Sequence, residues 1–273
     1  MIRTTFTAVI ILLLQQVQAQ TGAADIIKAE KDFAAYASAF STKEAFLQVI
    51  DSNSIMFDNG KPVKALEYWA KREKNSGVLK WQPQYIEISL SRTFGYTTGP
   101  WTFQPSRNDT VVATGQYTTI WYKNKNGQWK FLVDYGTDNN LPGGTNETII
   151  ETEKIPDSSK VIPHIAFLVN ADRNLNNLLH KSKGKAYSAF LSAHSILSRN
   201  GSLPAVTPEE REALIDSTPA AIRYSFAGWG ESPAKDMGYT YGMAELNGKR
   251  ENYFRIWRRE KKGWKIAVEV VRY

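Results

Sequence analysis

The sequence predicts an α+β protein built from two tandem copies of one unit, each running from helices into an antiparallel sheet. The repeat is visible directly. Phe94-Gly95-Tyr96-Thr97-Thr98-Gly99 returns 143 residues later as Met237-Gly238-Tyr239-Thr240-Tyr241-Gly242. Downstream, Ile120-Trp121 returns as Ile256-Trp257 and Gly127-Gln128-Trp129-Lys130 as Gly263-Trp264-Lys265, with tryptophan offsets of 136 and 135. Upstream, Ala45-Phe46-Leu47 answers to Ala189-Phe190-Leu191 and Asn59-Gly60 to Asn200-Gly201, at offsets of 144 and 141. A period near 140 is far longer than the ~20–50 residues of a solenoid repeat and is the size of an independently folding domain. With 42% hydrophobic and 12% aromatic residues, each copy can fill a core of its own.

Each element can be justified in turn. In the first copy, Ala23 to Phe40 carries Ile26, Ile27, Phe33, Tyr36 and Phe40 at mostly helical spacing, and Thr42 to Asp51, with Thr42 as a cap, continues as a second helix. A short segment at Ser54 to Phe57 leads into the turn Asp58-Asn59-Gly60, and Val63 to Asn75 reads as a third helix. Strands follow at Pro83 to Arg92, Gly95 to Gln104, Thr110 to Asn124 and Gln128 to Thr137, rich in Tyr, Trp, Thr, Ile and Val and separated by glycine-containing turns. The second copy has helices at Ile165 to Leu179, Lys185 to Ala193 and Pro208 to Asp216, then strands at Met237 to Leu246, Glu251 to Arg259 and Gly263 to Tyr273. Pro142-Gly143-Gly144 marks a linker, with a short strand at Thr148 to Thr152. The expected organisation is a signal peptide at 1–19, a first domain at 22–138, a linker at 139–163 and a divergent second domain at 164–273.

The amino terminus has the pattern of a cleaved export signal: Arg3, the apolar run Ala8 to Leu14, and Val17-Gln18-Ala19 ahead of a cut before Gln20. That run is too short to cross a bilayer, which takes about 20 residues, so stable membrane insertion is not expected. The protein is therefore expected to be periplasmic or extracellular. There is no cysteine, which removes disulfides, thiolate nucleophiles and thiolate metal ligands. The formal charge is +7, and loss of Arg3 with the signal leaves +6, a mild excess whose clusters fall at strand ends, so nucleic acid is not an expected partner.

Three helices followed by a curved antiparallel sheet, with Gly-x-Trp-Lys-apolar opening the last strand, resemble the nuclear-transport-factor-2-like superfamily, also called SnoaL-like or cystatin-like folds. Among its branches the chain is most similar to exported proteins of domain-of-unknown-function type. The likeness rests on Gly95 to Trp101, on Gly115-Gln116-Tyr117 with Trp121, and on Gly127 to Thr137. It implies two cone-shaped domains, each with N-terminal helices packed on a strongly curved, mainly antiparallel sheet, and an intrachain pseudo-dimer joined through the sheets' outer faces. The second copy departs from the pattern, with Ala244 near the place of Trp101 and Glu269 in place of Asp134.

Cone folds host isomerases, dehydratases, binding proteins and assembly modules alike, so the fold does not decide the function. What it offers is a cavity between helices and concave sheet. The leading expectation is a non-catalytic module holding a small apolar or amphipathic ligand; the alternative is an enzyme like ketosteroid isomerase or a dehydratase, using a carboxylate and a tyrosine of one domain. A third is a purely structural module with filled interiors. The ligand-binding candidates are Asp58, Tyr96, Trp101, Tyr117 and Asp134 in the first copy, with weaker counterparts His194, Tyr239, Arg255 and Glu269 in the second. Period two along the last strand sets Lys130, Leu132 and Asp134 on one face against Trp129, Phe131, Val133 and Tyr135 on the other, and the apolar row is expected to be the packed one. His164, His180 and His194 form no ligand pair, so neither a metal nor a cofactor is expected. Serine-hydrolase elbows, phosphate loops and dinucleotide fingerprints are absent from the sequence.

Overall fold

The computed structural model describes residues 4–139, 150–151 and 168–273, with side chains from residue 22 onward. The side chains of the expected export signal and nearly all of the expected linker, with the expected domain boundary and His164, lie outside the described residues.

The chain folds as α+β with two sheets, each covered by helices on one face. In the first half, α1 (Thr4–Ala39) and α2 (Thr42–Val49) precede β1 (Ile55–Asp58), β2 (Lys61–Lys64) and α3 (Ala65–Lys71). Then come β3 (Val78–Trp81), β4 (Tyr85–Ile88), β5 (Phe94–Gln104), β6 (Ala113–Lys123) and β7 (Trp129–Asp138), with β8 (Ile150–Glu151) beyond. The second half has α4 (Leu168–Leu179), α5 (Lys183–Phe190), β9 (Leu191–Arg199), α6 (Pro208–Ser217), β10 (Arg223–Glu231), β11 (Met237–Leu246), β12 (Lys249–Glu260) and β13 (Gly263–Val271). The first sheet runs β2-β1-β7-β6-β5-β4-β8 with β3 also on β5, and the second β10-β11-β12-β13-β9. The strand order shared by the two is the duplication in three dimensions: β1 lies parallel to β7 as β9 does to β13, and the rest is an antiparallel meander.

Local details refine the repeat. Ser41 caps α2 by accepting the Glu44 N–H, and Ser182 caps α5 by accepting that of Lys185. Aligning on the caps pairs Ala45 with Ala186 and Phe46 with Tyr187, all buried, at the same 141-residue offset as Asn59 and Asn200. The pairing of Ala45-Phe46-Leu47 with Ala189-Phe190-Leu191 is thus three residues too far along, close to one helical turn, where the same face recurs. The cap is Ser41 rather than Thr42. The third helix starts at Ala65 rather than Val63 because Lys61–Lys64 pairs with Ile55–Asp58 as a hairpin, and it ends at Lys71 rather than Asn75. The helix expected over Lys185 to Ala193 stops at Phe190, and the chain turns directly into β9 with no Gly or Pro to signal it.

The recurring Gly-Tyr-Thr-x-Gly motif has a steric explanation. A Cβ on Gly99 would stand 2.0 Å from the Gln82 carbonyl oxygen, and one on Gly242 would stand 2.1 Å from that of Ser225. The flanking strand crosses so closely that only glycine fits. The motif's tyrosine and threonine point to opposite faces of the sheet. Tyr96 and Tyr239 enter a core between the two sheets, shared with Phe94, Ile120, Val133, Phe254, Ile256, Val268 and Val270. Thr97 and Thr240 face the helices. Polar contacts join the sheets at the edge of that core: Arg258 Nε donates to Glu87 Oε1 at 2.6 Å, and Asp236 accepts from Ser89 and from the Leu90 N–H at 2.5 and 2.7 Å; within its own sheet, Arg258 Nη1 donates to Ser192 at 2.8 Å.

Both faces of each sheet are packed, and the last strand of each breaks its period-two alternation along the way. The break is a bulge. Ile120 pairs with Val133 and Trp121 with Phe131, so Leu132 is the extra residue; in the second sheet Ile256 pairs with Val268 and Trp257 with Ile266, so Ala267 is extra. Phe131 packs with the helices while Val133 packs against the other sheet. The expectation that Asp134 shares a face with Lys130 is corrected accordingly: past Leu132 the parity inverts and Asp134 joins Phe131 on the helix side. Among the described residues no helix is long and apolar enough to cross a membrane.

Candidate functional site

The helix-side face of each sheet is organised around an acid on the first helix. In the first unit this is Glu30 of α1, fully buried, which accepts from Trp81 Nε1 at 2.5 Å, Thr97 Oγ1 at 2.5 Å and Trp121 Nε1 at 2.9 Å. Burial raises its pKa, and those three donors oppose the rise. In the second unit Asp172 of α4 accepts from Thr240 Oγ1 at 2.8 Å, Tyr253 at 2.7 Å and Arg255 Nη1 at 2.8 Å, while Trp257 Nε1 donates to Thr240 at 2.8 Å. Neither acid was among the sequence candidates, because a lone acid amid Lys and Asp reads as a solvated helix face. Ala29-Glu30-Lys31 against Ala171-Asp172-Arg173, at an offset of 142, is the signal that could have found the pair.

Between helices and sheet the first unit keeps a cavity of about 240 Å³. Phe33 and Phe46 come from the helices, Trp69 from α3, Leu79 and Trp81 from β3, Trp101 from β5, and Tyr117, Asp134, Gly136 and Asp138 from β6 and β7. Arg272, just past β13 in the second unit, closes the mouth, donating to Asp138 Oδ2 at 3.2 Å and standing 3.5 Å from Glu251. The aromatic wall is fixed by contact: Phe33 meets Trp81 edge-on at 4.7 Å between centroids, and Phe46 stacks on Trp69 at 4.2 Å. Trp101 lies over Gly115, where a Cβ would come within 2.5 Å of the indole.

Two polar groups enter this apolar space. Asp134 accepts from Thr119 Oγ1 at 3.1 Å, and its pKa rises to about 7, first because burial strips water from the carboxylate and second because of the Glu30 charge. The Tyr117 hydroxyl is buried without a hydrogen-bond partner, and its pKa is pushed well above 10 by burial and by Glu30 and Asp134, against a weaker opposing effect of the Thr97 hydroxyl. The indole N–H of Trp69 is also unpaired. Among the described residues neither Glu30 nor Asp134 forms an ion pair.

The second unit fills the same space with charge. Asp134 faces Thr119 across the strands as Glu269 faces Arg255. Glu269 accepts from Arg255 Nε at 2.6 Å, Arg199 Nη2 at 2.5 Å and Tyr187 at 2.8 Å. Although burial works the other way, the two guanidiniums and these hydrogen bonds hold its pKa down to about 2. Arg199 and Arg255 balance Glu269 and Asp172, all with fully buried side chains.

The structure thus brings Trp101, Tyr117 and Asp134 together at one cavity. It does not bring Asp58 or Tyr96 there: Asp58 is exposed beside Asn59, and Tyr96 lies between the sheets with its hydroxyl donating to Glu87 at 3.2 Å. Arg255 and Glu269 sit in the buried ion network, Tyr239 lies in the inter-sheet core, and His194 is exposed on β9 rather than in a turn after a helix.

No protein-family profile and no curated protein sequence matches the chain. Solved structures do resemble parts of it. An NTF-2-like protein of unknown function from Shewanella oneidensis is 22% identical over 41% of this chain and 96% of its own, with a TM-score of 0.34. A protein from Shewanella frigidimarina carrying a provisional ketosteroid-isomerase label is 15% identical over 40% and 92%, with a TM-score of 0.32. A protein of unknown function with a cystatin-like fold from Nostoc punctiforme is 14% identical over 38% and 86%, with a TM-score of 0.33.

Proposed function

We propose that the chain is an exported ligand-binding protein, in which the unit at 22–138 holds a small, mainly apolar molecule and the unit at 164–273 is its fixed partner in an intrachain pseudo-dimer. The observation that carries this reading is the contrast between equivalent interiors: an aromatic cavity with a free Tyr117 hydroxyl and, among the described residues, an Asp134 with no ion-pair partner in the first, a buried ion network in the second. At about 240 Å³ the cavity falls below the ~300–1,000 Å³ usual for drug-sized ligands, which points to a small molecule. A nuclear magnetic resonance titration with small aromatic fragments tests it. Shifts are expected at the indole signals of Trp81 and Trp101 and not at that of Trp257; shifts confined to the second unit, or none at all, would refute the assignment.

One observation supports the catalytic alternative. A carboxyl poised near pH 7, facing an apolar cavity beside a tyrosine, is suited to take a proton from carbon next to a carbonyl while the Tyr117 hydroxyl steadies the enolate oxygen. Cyclic ketones that bind should then exchange their α-protons in deuterium oxide, and Asp134→Asn should abolish the exchange. Binding without exchange leaves the non-catalytic reading.

A further inference from the structure

The duplication lets one half of the molecule report on what the other half accepts. In the second unit, two carboxylates and a tyrosine surround a cation: the Arg255 guanidinium lies 2.8 Å from Asp172, 2.6 Å from Glu269 and 4.3 Å above the Tyr253 ring. The strand registers make Tyr117 the counterpart of Tyr253, since the two stand opposite Gly99 and Gly242. They likewise make Asp134 the counterpart of Glu269, and Glu30 answers to Asp172 through their shared threonine partners. The first unit therefore keeps both acids and the tyrosine, but Thr119 stands where Arg255 would be, and Tyr117 and Asp134 border a cavity.

We propose that the cavity of the first unit binds an organic monocation, an ammonium or guanidinium group on an apolar body, in the position that the Arg255 guanidinium fills in the second. The inference rests on the ligand-binding reading above and names its ligand class. Its chemistry is consistent with the walls. A cation is attracted to aromatic faces, here Trp69, Trp81 and Trp101, and a desolvated carboxylate without a counter-ion gains most from a bound positive charge. Tyr117, buried and unpaired, offers an oxygen to an ammonium N–H. The charged groups facing Asp134 are Glu30 from α1 and, at the mouth, Asp138 with Arg272, whose charge is already shared with Asp138 and Glu251. Ionisation of Asp134 should strengthen cation binding as pH rises through about 7.

The test titrates the full chain at pH 8.5 with benzyltrimethylammonium chloride, its uncharged carbon analogue neopentylbenzene, and phenylacetate, following tryptophan fluorescence. The cation is expected to bind at least about tenfold more tightly than the neutral analogue. Asp134→Asn should remove that preference by weakening cation binding. Thr119→Arg, which supplies the second unit's own cation, should abolish cation binding; circular dichroism reports whether it folds, and the Asp134→Asn result decides the matter independently. If neopentylbenzene or phenylacetate binds as tightly as the cation, the cavity reading stands and the cation proposal is overturned. If none of the three binds, both fall.

Discussion

Asp134 and Glu269 are equivalent in position and opposite in energetics, so removing their charges should have opposite effects on stability. For Asp134 the folded pKa of about 7 lies above the ordinary 3.8, so the folded state binds more protons between those values and stability falls as pH rises through that window. A shift of about three units corresponds to about 4 kcal/mol, a ceiling because the carboxyl fronts a cavity that admits water. Asp134→Asn keeps the shape and an acceptor for Thr119 but never ionises. It should therefore stabilise the protein by on the order of 1–4 kcal/mol at pH 8.5 and leave it nearly unchanged at pH 4. Glu269 has the reverse sign. Its pKa of about 2 lies below 4.5, so its contribution is present above 4.5 and is lost as pH falls toward 2. Glu269→Gln leaves Arg199 and Arg255 buried without that partner and should cost about 3–5 kcal/mol at neutral pH. Urea unfolding of the parent and both variants at pH 4, 5.5, 7 and 8.5 measures this. Destabilisation by Asp134→Asn at pH 8.5, or a pH-independent effect, would refute the reasoning.

Two further outcomes follow from the frame. Gly99→Ala and Gly242→Ala each place a methyl about 2 Å from a backbone carbonyl oxygen, and each should lower thermal stability by several kcal/mol or prevent folding, whereas Gly184→Ala, with open space around it, should cost far less; comparable melting temperatures would show that the strands separate easily. Arg258→Met should destabilise by about 3–5 kcal/mol by stranding Glu87 between the sheets, and the double change with Glu87→Gln should recover much of the loss; an additive double-mutant cycle in urea would show that the pair does not couple the two sheets.

The repeat and its secondary structure were legible where local chemistry is strong. The drop in offset from 143 to 136 between Gly95 and Trp121 records a shorter connection in the second unit, where Asn247 and Gly248, both at positive φ, turn β11 tightly into β12. Trp101, Tyr117 and Asp134 could be proposed because cone folds place such residues near a cavity. What stayed hidden depends on register. The bulges at Leu132 and Ala267 carry no residue signature, yet they decide which face Asp134 and Glu269 take. Arg255 offered no sign in sequence that it would be neutralised by Asp172, 83 positions away. β9 escaped because its first residues, Leu191-Ser192-Ala193-His194, alternate weakly and follow a helix without a break.

The duplication also gives the molecule an internal reference. Temperature, ionic strength, denaturant and additives reach Trp121 and Trp257, or Asp134 and Glu269, in the same tube and on the same chain. A change that appears at one member of a pair and not at the other therefore reports on the cavity, and a change at both reports on the solvent. That blank lies one sheet away from the cavity it calibrates.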